Sequence, residues 1–199
     1  MRETVTLTAA DGHSLSAYRA APAQQPRGGL VIIQEIFGVN SHIKKLCDGF
    51  AADGYVALAP ALFDRVERGI MLGYGPEDID SGRSIRGKID MTDMVKDVHA
   101  AVRELADAGL TVGVVGYCMG GTVAWLAATR IDGVAAAVGY YGGGIAAAVD
   151  ERPRCPVLLH FGETDASIPK EHWDKVRAAH PEVPMHIYAG AGHGFSCDA

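Results

Sequence analysis

The sequence predicts an α/β fold with a mostly parallel central sheet. Short apolar runs recur along the chain, and the segments between them repeat apolar residues every three or four positions, as amphipathic helices do. The run at residues 30–33 is continuously apolar, which is typical of a strand covered on both faces. Because strands and helices alternate, we expect parallel strands joined by helices on both faces of the sheet.

Four strands and one helix are predicted in the first third of the chain. Residues 4–8 and 15–19 alternate apolar and polar positions around Asp11-Gly12, which predicts an antiparallel hairpin. After the strand at residues 30–33, Asn40 or Ser41 can cap a helix that ends near Gly54. A buried strand is predicted at residues 55–59, and Pro60 is expected to stop it.

Residues 62–88 lack a clean period and carry several arginines and acidic residues. We interpret this segment as a partly helical excursion over the active face. Asp90 then caps a helix whose apolar residues follow the helical spacing. The remaining predicted elements are a strand at 110–117, a helix at 119–129, strands at 134–140 and 157–161, a helix at 170–179 and a strand at 185–188.

Length and charge restrict the classes of function. At 199 residues the chain is long enough for one domain with a sizeable core, so we expect a single domain over residues 1–199. The net charge of −6 argues against nucleic acid and anionic membranes as partners. No apolar run approaches the ~18 residues of a membrane span, and no signal peptide is visible. Four cysteines without paired spacing favour a reducing cytoplasm.

Residues 116–121 read Gly-Tyr-Cys-Met-Gly-Gly directly after a predicted buried strand. This is the pattern of the nucleophile elbow of α/β-hydrolases, with a thiol where serine is usual. The sharp turn from strand to helix crowds its surroundings, so only glycine fits two positions before and two positions after Cys118. The helix that follows presents free N–H groups and a positive dipole end, from which we expect a resting thiolate at Cys118.

Three candidate catalytic residues follow three different predicted strands: Cys118, Asp165 and His193. Ligands bind beyond the carboxyl ends of strands in open α/β sheets, and the order nucleophile, acid, histidine is that of α/β-hydrolases. A histidine can hold a thiolate as an ion pair and later protonate the leaving group, while an aspartate orients the imidazole. The combination predicts nucleophilic catalysis.

Each of the three residues also has an ordinary explanation when it is taken alone. A cysteine after a strand is often a small core residue, Asp165 can cap a helix, and His193 can belong to a turn. A redox or electrophile sensor would need only a reactive Cys118, and a binding module would need none of the three. The ordered trio favours the enzyme over both alternatives.

Five segments resemble the dienelactone hydrolase family, and the likeness is clearest over residues 31–195. They are Gln-Glu-Ile-Phe-Gly at 34–38, the cysteine elbow at 116–121, Gly-Tyr-Tyr-Gly at 139–142, His-Phe-Gly-Glu-Thr-Asp at 160–165 and Gly-His-Gly-Phe at 192–195. The resemblance implies an α/β-hydrolase fold without cofactor or metal. It also implies hydrolysis of an ester or lactone; the family's reference reaction opens dienelactone to maleylacetate in chloroaromatic breakdown.

The resemblance also implies roles for individual residues. Cys118 would be the nucleophile that forms a thioester, His193 the base and acid, and Asp165 its orienting partner. Glu35 would contact the cysteine in the resting enzyme and move away when substrate binds. The backbone N–H groups of Ile36 and Met119 would form the oxyanion hole.

Substrate binding is expected to involve Phe37, Tyr117, Arg83 and Arg86. The family's arginine four residues beyond the histidine is Cys197 here, so that contact to a substrate carboxylate is absent. Arg83 can substitute as a carboxylate anchor, although a solvated surface arginine remains the alternative. The resemblance therefore implies ester or lactone hydrolysis in general, and a preference for carboxylate-bearing lactones depends on Arg83.

Two expectations concern the end of the sequence. The family usually continues into a helix that packs on the sheet, so either the natural C-terminus is missing here or that face is covered otherwise, in a monomer or a homodimer. His193 and Cys197 could share a metal only in a helix, which Gly194 disfavours. We expect no metal site.

Overall fold

A computed structural model describes residues 1–198, and all eight of the strands it contains belong to one sheet. The strand order is β1-β2-β4-β3-β5-β6-β7-β8, in which β2 is antiparallel to both β1 and β4 and every other neighbouring pair is parallel. The α/β prediction, including the antiparallel hairpin at the N-terminus, is confirmed. The strands are β1 (Arg2–Thr8), β2 (Ser14–Ala20), β3 (Gly28–Ile33), β4 (Tyr55–Pro60), β5 (Val112–Tyr117), β6 (Val134–Tyr140), β7 (Val157–Gly162) and β8 (Met185–Tyr188).

Helices join the parallel strands. They are α1 (Ser41–Ala52), α2 (Pro76–Arg86), α3 (Met91–Asp107), α4 (Met119–Arg130) and α5 (Lys170–Ala179). The two predicted caps are confirmed, because the Asn40 side chain accepts from the backbone N–H of Ile43 and Asp90 accepts from that of Thr92. None of the helices within residues 1–198 has the length and apolar character needed to cross a bilayer.

The prediction that Pro60 stops the strand before it is slightly wrong. Pro60 is the last residue of β4 and pairs with Ala17 of β2. It lies beyond the pair between Val31 and Leu58, the last one that joins β4 to β3. A proline is tolerated there because no ladder hydrogen bond to β3 is lost.

Helix α4 lies at the centre of the core. Every residue from Met119 to Thr129 is buried, so this helix is apolar on all sides rather than amphipathic. It packs on β5, β6 and β3 and also contacts α3. Trp125 is fully buried, and its indole N–H donates to the carbonyl of Ala148 over 3.1 Å. The helix that begins at the cysteine elbow is therefore held rigidly by its surroundings.

Residues 62–88 form the predicted excursion, with a short 3-10 helix at Leu62–Arg65 and then α2. The excursion is fastened to the loop after β3, where the backbone N–H of Leu72 donates to the carbonyl of Phe37 over 2.9 Å. Two glycines allow the close approach. A Cβ on Gly38 would lie 2.0 Å from the carbonyl oxygen of Ile70, and one on Gly82 would lie 2.2 Å from that of Ile36.

A row of four rings crosses the parallel strands on one face of the sheet. Tyr117, Tyr140, His160 and His186 occupy neighbouring positions on β5, β6, β7 and β8. Successive ring centroids lie 5.0, 4.3 and 5.5 Å apart with nearly parallel planes. Tyr188 joins this ring ladder through a 2.9 Å hydrogen bond between its hydroxyl and Nδ1 of His160.

Candidate active site

The sharp turn between β5 and α4 holds Cys118 in a strained conformation, with φ 54° and ψ −117°. Positive φ at a residue with a side chain costs on the order of 1–3 kcal/mol and persists only where the surroundings enforce it. Here the surroundings are backbone: a Cβ on Gly116 would lie 1.9 Å from the carbonyl oxygen of Gly120, and a Cβ on Gly120 would lie 2.3 Å from that of Ile33. The glycines that flank the cysteine are thus required by close packing.

The structure brings Cys118, His193 and Asp165 together in one hydrogen-bonded line. His193 Nε2 lies 3.2 Å from Cys118 Sγ, and His193 Nδ1 lies 2.7 Å from Asp165 Oδ2. Asp165 is 3% exposed and also accepts the backbone N–H of Ser167. The loops after β7 and β8 meet closely, because a Cβ on Gly162 would lie 2.4 Å from the carbonyl oxygen of Ala191.

The hydrogen-bond line is satisfied by a neutral His193 between a thiol and a carboxylate. An ionised carboxylate can only accept, so Nδ1 of His193 carries the proton that it donates to Asp165. Nε2 of a neutral imidazole is then an acceptor, and the thiol of Cys118 donates to it. This arrangement suits a base that takes the proton of the thiol.

The sequence led us to expect a resting thiolate at Cys118, because the residue lies at a helix N-terminus. The structure favours the neutral thiol instead. Burial and then the negative charge of Glu35 raise the pKa of Cys118 to about 12. The backbone N–H of Met119 and the positive charge of Arg83 act in the opposite direction but do not outweigh these two causes. The neutral thiol of Cys118 is consequently favoured over the thiolate at physiological pH.

Glu35 lies in the loop after β3 and is 3% exposed. Its Oε2 accepts from the hydroxyl of Tyr74 over 2.8 Å, and that hydroxyl in turn accepts from the side-chain amide of Asn40. Burial raises the pKa of Glu35, and the Tyr74 hydrogen bond works against that rise. Within residues 1–198 the hydrogen bond of this carboxylate comes from Tyr74 and not from Cys118, which Glu35 influences through its charge.

A cavity of about 680 Å³ opens beside the cysteine. Of the residues expected to bind substrate, Phe37, Arg83 and Arg86 line it, and so do Ile36 and Met119, whose N–H groups were expected to form the oxyanion hole. Met91, Thr122 and Ile168 also line the cavity, although no sequence pattern marks them as candidates.

Tyr117 does not line the cavity, so its expected role in substrate binding is not supported. Its side chain is 4% exposed and stacks on Tyr140 in the ring ladder. Successive side chains of a strand point to opposite faces, and at the end of β5 this rule directs Tyr117 into the sheet packing. Its position next to the cysteine in sequence therefore says little about where its ring lies.

Two tyrosines at the site were missed by sequence reasoning. Tyr74 holds Glu35, as described above, and Tyr141 packs its ring 5.1 Å from that of His193. The Tyr141 hydroxyl shares a 2.8 Å hydrogen bond with the hydroxyl of Ser196. Tyr74 lies in the segment without periodicity, so no signal was available for it. Tyr141 lies in the Gly-Tyr-Tyr-Gly motif and could have been selected on that basis.

The chain is similar to known proteins in both sequence and fold. Residues 15–199 match the model of the dienelactone hydrolase family. The carboxymethylenebutenolidase of Pseudomonas putida is 33% identical over 207 residues, which cover 98% of this chain and 86% of that protein. A Synechocystis protein assigned the same activity is 33% identical over 187 residues, or 85% of this chain and 76% of the relative.

Among solved structures, that of a Klebsiella pneumoniae protein assigned as a dienelactone hydrolase superposes with a TM-score of 0.83. The sequence identity is 27%, and the alignment covers 100% of this chain and 90% of the other.

Proposed function

The chain belongs to the dienelactone hydrolase family, and from this premise we propose that it hydrolyses carboxylic esters and lactones with Cys118 as the nucleophile. The observation that carries the proposal is the line from Cys118 Sγ through the imidazole of His193 to the buried Asp165, with separations of 3.2 and 2.7 Å. This line lies at the wall of a cavity large enough for a small ester.

The first half of the proposed cycle forms a thioester. The thiol proton passes to Nε2 of His193 as the sulfur attacks the carbonyl carbon. The resulting oxyanion accepts from the backbone N–H groups of Ile36 and Met119. When the tetrahedral intermediate collapses, the bond to the leaving oxygen breaks, and His193 gives that oxygen the proton it took from the thiol.

The second half releases the acid. His193 takes a proton from a water molecule that attacks the thioester carbon, and the sulfur leaves and regains a proton from the imidazole. Asp165 keeps Nδ1 protonated throughout and stabilises the imidazolium in both halves. Because the thiolate is a weak base compared with an alkoxide, activated esters and enol lactones are better substrates than simple alkyl esters.

Activation of the neutral thiol depends on Glu35 in this proposal. The charge of Glu35 is the second largest cause of the high pKa of Cys118, after burial. A substrate that displaces the carboxylate from the cavity, as the family resemblance implies, removes that cause and brings the thiol closer to ionisation. The enzyme would then be reactive mainly when substrate is bound.

We propose lactones that bear a carboxylate, such as dienelactone, as the preferred substrates. Two relatives of this chain carry the name carboxymethylenebutenolidase, and Arg83 and Arg86 line the cavity beside the cysteine. Arg83 is close enough for its charge to lower the pKa of Cys118. The presence of Cys197 where the family has a second anchoring arginine supports neutral esters as the alternative substrate class.

A thiol sensor is a weaker proposal than a hydrolase. Oxidation and alkylation require a thiolate, whereas burial and Glu35 keep the pKa of Cys118 at about 12. Either function needs a reduced cysteine, which is why we propose the cytoplasm as its compartment.

The covalent mechanism is tested by Cys118→Ala. We expect turnover of p-nitrophenyl acetate and the initial burst of p-nitrophenol both to be lost, because no sulfur remains to be acylated. Cys155→Ala is the matched control, since Cys155 is another partly exposed cysteine and does not line the cavity. Retention of turnover in Cys118→Ala would eliminate the covalent mechanism.

The anchor is tested by Arg83→Ala. We expect KM for a carboxylate-bearing lactone to rise by roughly 10- to 100-fold, because a charge-assisted hydrogen bond is worth about 1.5–3 kcal/mol, while KM for a neutral ester changes little. Arg103→Ala, on the exposed side of α3, removes the same charge elsewhere. Equal effects on both substrates would show that Arg83 does not select the carboxylate.

A further inference from the structure

A second cluster of reactive side chains borders the catalytic cavity without taking part in the triad. It consists of Glu35 from the loop after β3, His42 from the first turn of α1, and Cys197 from the segment after β8. One ligand atom from each of the three residues lies within 4.8 Å of the others. Glu35 and Cys197 line the cavity, and His42 lies behind them, 6% exposed.

His42 supplies an independent reason to look for a ligand. Its Nε2 is buried and has no hydrogen-bond partner among residues 1–198. A buried polar group without a hydrogen-bond partner is destabilising, so the position of this nitrogen needs an explanation. A neutral imidazole nitrogen is a good metal ligand, and so are a carboxylate oxygen and a thiolate sulfur.

We propose that Glu35, His42 and Cys197 bind a divalent cation of the zinc class at the wall of the catalytic cavity. The site goes beyond the proposed hydrolase function and uses neither Cys118 nor His193. One nitrogen, one oxygen and one sulfur donor form the mixed set that Zn²⁺ accepts, and a set with a thiolate excludes Mg²⁺ and Ca²⁺, which take oxygen ligands.

The spacing of the donors is close to what such an ion needs. With metal–ligand distances of about 2.0–2.3 Å, the donors of a tetrahedral zinc site lie roughly 3.3–3.8 Å apart. The present separations, none above 4.8 Å, need a contraction of about 1.5 Å or less. Rotation of the partly exposed Cys197 side chain can bring its sulfur towards the other two ligands, which are buried.

The surroundings of the three residues resemble the supporting contacts of a metal site. The Tyr74 hydroxyl donates to Oε2 of Glu35 over 2.8 Å and so orients the carboxylate. Cys197 is held in a turn, with its backbone N–H donating to the carbonyl of Gly194 over 2.8 Å, and the preceding Ser196 is bonded to Tyr141. Ligands that are oriented beforehand lose less freedom when the ion binds.

Charge also favours the ion. Zn²⁺ binding displaces the thiol proton of Cys197 to solvent and leaves one thiolate, one carboxylate and one dication, which sum to zero. The three residues therefore go from one net negative charge to none, so no uncompensated charge is left in this buried wall of the cavity. The ion would also keep Glu35 in place and occupy part of the substrate space, so zinc would act as a reversible inhibitor of ester hydrolysis.

The test uses Co²⁺ as a spectroscopic probe in the full chain carrying Cys118→Ala, so that the catalytic thiol does not contribute. We expect a thiolate-to-cobalt charge-transfer band in the near ultraviolet that saturates at one equivalent and is abolished by competing Zn²⁺. Adding Cys197→Ser should abolish the band, and adding His42→Gln should weaken Co²⁺ binding by about tenfold or more. Adding Cys155→Ser, the matched control, should leave it unchanged.

A second measurement needs no change at the site. In the Cys118→Ala chain, Zn²⁺ should protect Cys197 but not Cys155 from alkylation by iodoacetamide, as read by mass spectrometry. A band that survives Cys197→Ser, a band that fails to form in Cys118→Ala, or equal alkylation of Cys197 with and without Zn²⁺ would overturn the proposal. Inhibition of the unchanged chain by zinc would not distinguish this site from the triad, because zinc bound by Cys118 and His193 would also inhibit.

Discussion

The reactivity of Cys118 is the net result of opposing neighbours. The start of α4 and the charge of Arg83 favour the thiolate, whereas burial and the charge of Glu35 favour the thiol. The second pair is the stronger, so the pKa rises to about 12. A cysteine at a helix N-terminus is thus not reactive for that reason alone, and in the proposed mechanism the carboxylate of Glu35 determines when Cys118 becomes reactive.

Glu35→Gln tests this balance directly. The change removes the negative charge and keeps an acceptor for Tyr74, so the pKa of Cys118 should fall. Below the pKa the thiolate fraction increases about tenfold for each unit by which the pKa drops. The rate of iodoacetamide alkylation of Cys118 at a fixed pH near 8 should therefore increase.

Glu104→Gln on the exposed side of α3 is the control for that experiment, since it removes the same charge far from the sulfur. An alkylation rate that is unchanged or lower in Glu35→Gln would contradict the assigned role of the carboxylate.

The positions of individual site residues could be predicted from the sequence only where a motif coincided with a general rule of protein architecture. Cys118, Asp165 and His193 each follow a strand, and the carboxyl ends of parallel strands share one edge, so their meeting could be predicted. Tyr117 was selected for its position beside the cysteine, but the pleat of β5 turns it away. Tyr74 carries no pattern in the sequence that would connect it to Glu35.

Among the elements, the ring ladder across β5 to β8 changes the pKa of the histidine at its centre, His160. Burial, and then the positive charge of the neighbouring His186, lower the pKa of His160. His160 is 7% exposed and stacked between Tyr140 and His186. The ladder therefore tolerates a neutral imidazole in its centre better than a charged one.

This predicts a loss of stability in mild acid. A histidine whose folded-state pKa is lowered binds its proton more readily when the chain is unfolded, so its contribution to stability is present above about pH 6.5 and declines as pH falls through that value. We expect Tm to drop between about pH 7 and about pH 5. In His160→Gln this drop should be smaller.

His99→Gln, on a half-exposed face of α3, is the matched control for thermal unfolding across the same pH series. If the two variants have the same pH dependence as the unchanged chain, the ladder is not what makes the fold sensitive to acid.

Strands and capped helices could be predicted one by one, because each is determined by residues within or next to its own segment. Asn40 and Asp90 cap the helices that follow them, and alternation revealed the hairpin. The excursion was placed correctly but not resolved into elements, since α2 is polar on most sides and is held by contacts with a distant loop. Such contacts leave no period in the sequence.

For the molecule as a whole, α4 joins parts of the chain that are far apart in sequence. Trp125 on this helix donates to the carbonyl of Ala148 and lies edge-on to His180, with ring centroids 5.0 Å apart. It is among the largest fully buried side chains. Its loss would leave a cavity where α4 meets both the loop after β6 and the end of α5.

We therefore expect Trp125→Ala to reduce the free energy of unfolding by about 3–5 kcal/mol, from lost burial and the space left behind. Denaturant unfolding followed by circular dichroism measures it. Val66→Ala, at a residue 37% exposed, should change the same quantity by less than about 0.5 kcal/mol. Comparable losses in the two variants would contradict the central position assigned to Trp125.

The class of fold followed from the alternation of strands and helices, but the order of the strands did not. Residues 30–33 were clearly a buried strand, yet nothing in them indicates that β3 lies between β4 and β5. Neighbours in a parallel sheet are chosen by the packing of crossover helices, which depends on residues throughout the chain.

The tight seam between the excursion and the loop after β3 has an evolutionary consequence. The excursion supplies Arg83 and Arg86 to the cavity, and the loop supplies Ile36. At Gly82 and Gly38 the backbones of the two segments are in direct contact, so neither segment can shift without moving the other. A mutation that reshapes the excursion to admit a bulkier acid will also push on the peptide group proposed to polarise the carbonyl. Changes in substrate range within this lineage should accordingly come with changes in turnover rate, and compensating substitutions should collect along the seam.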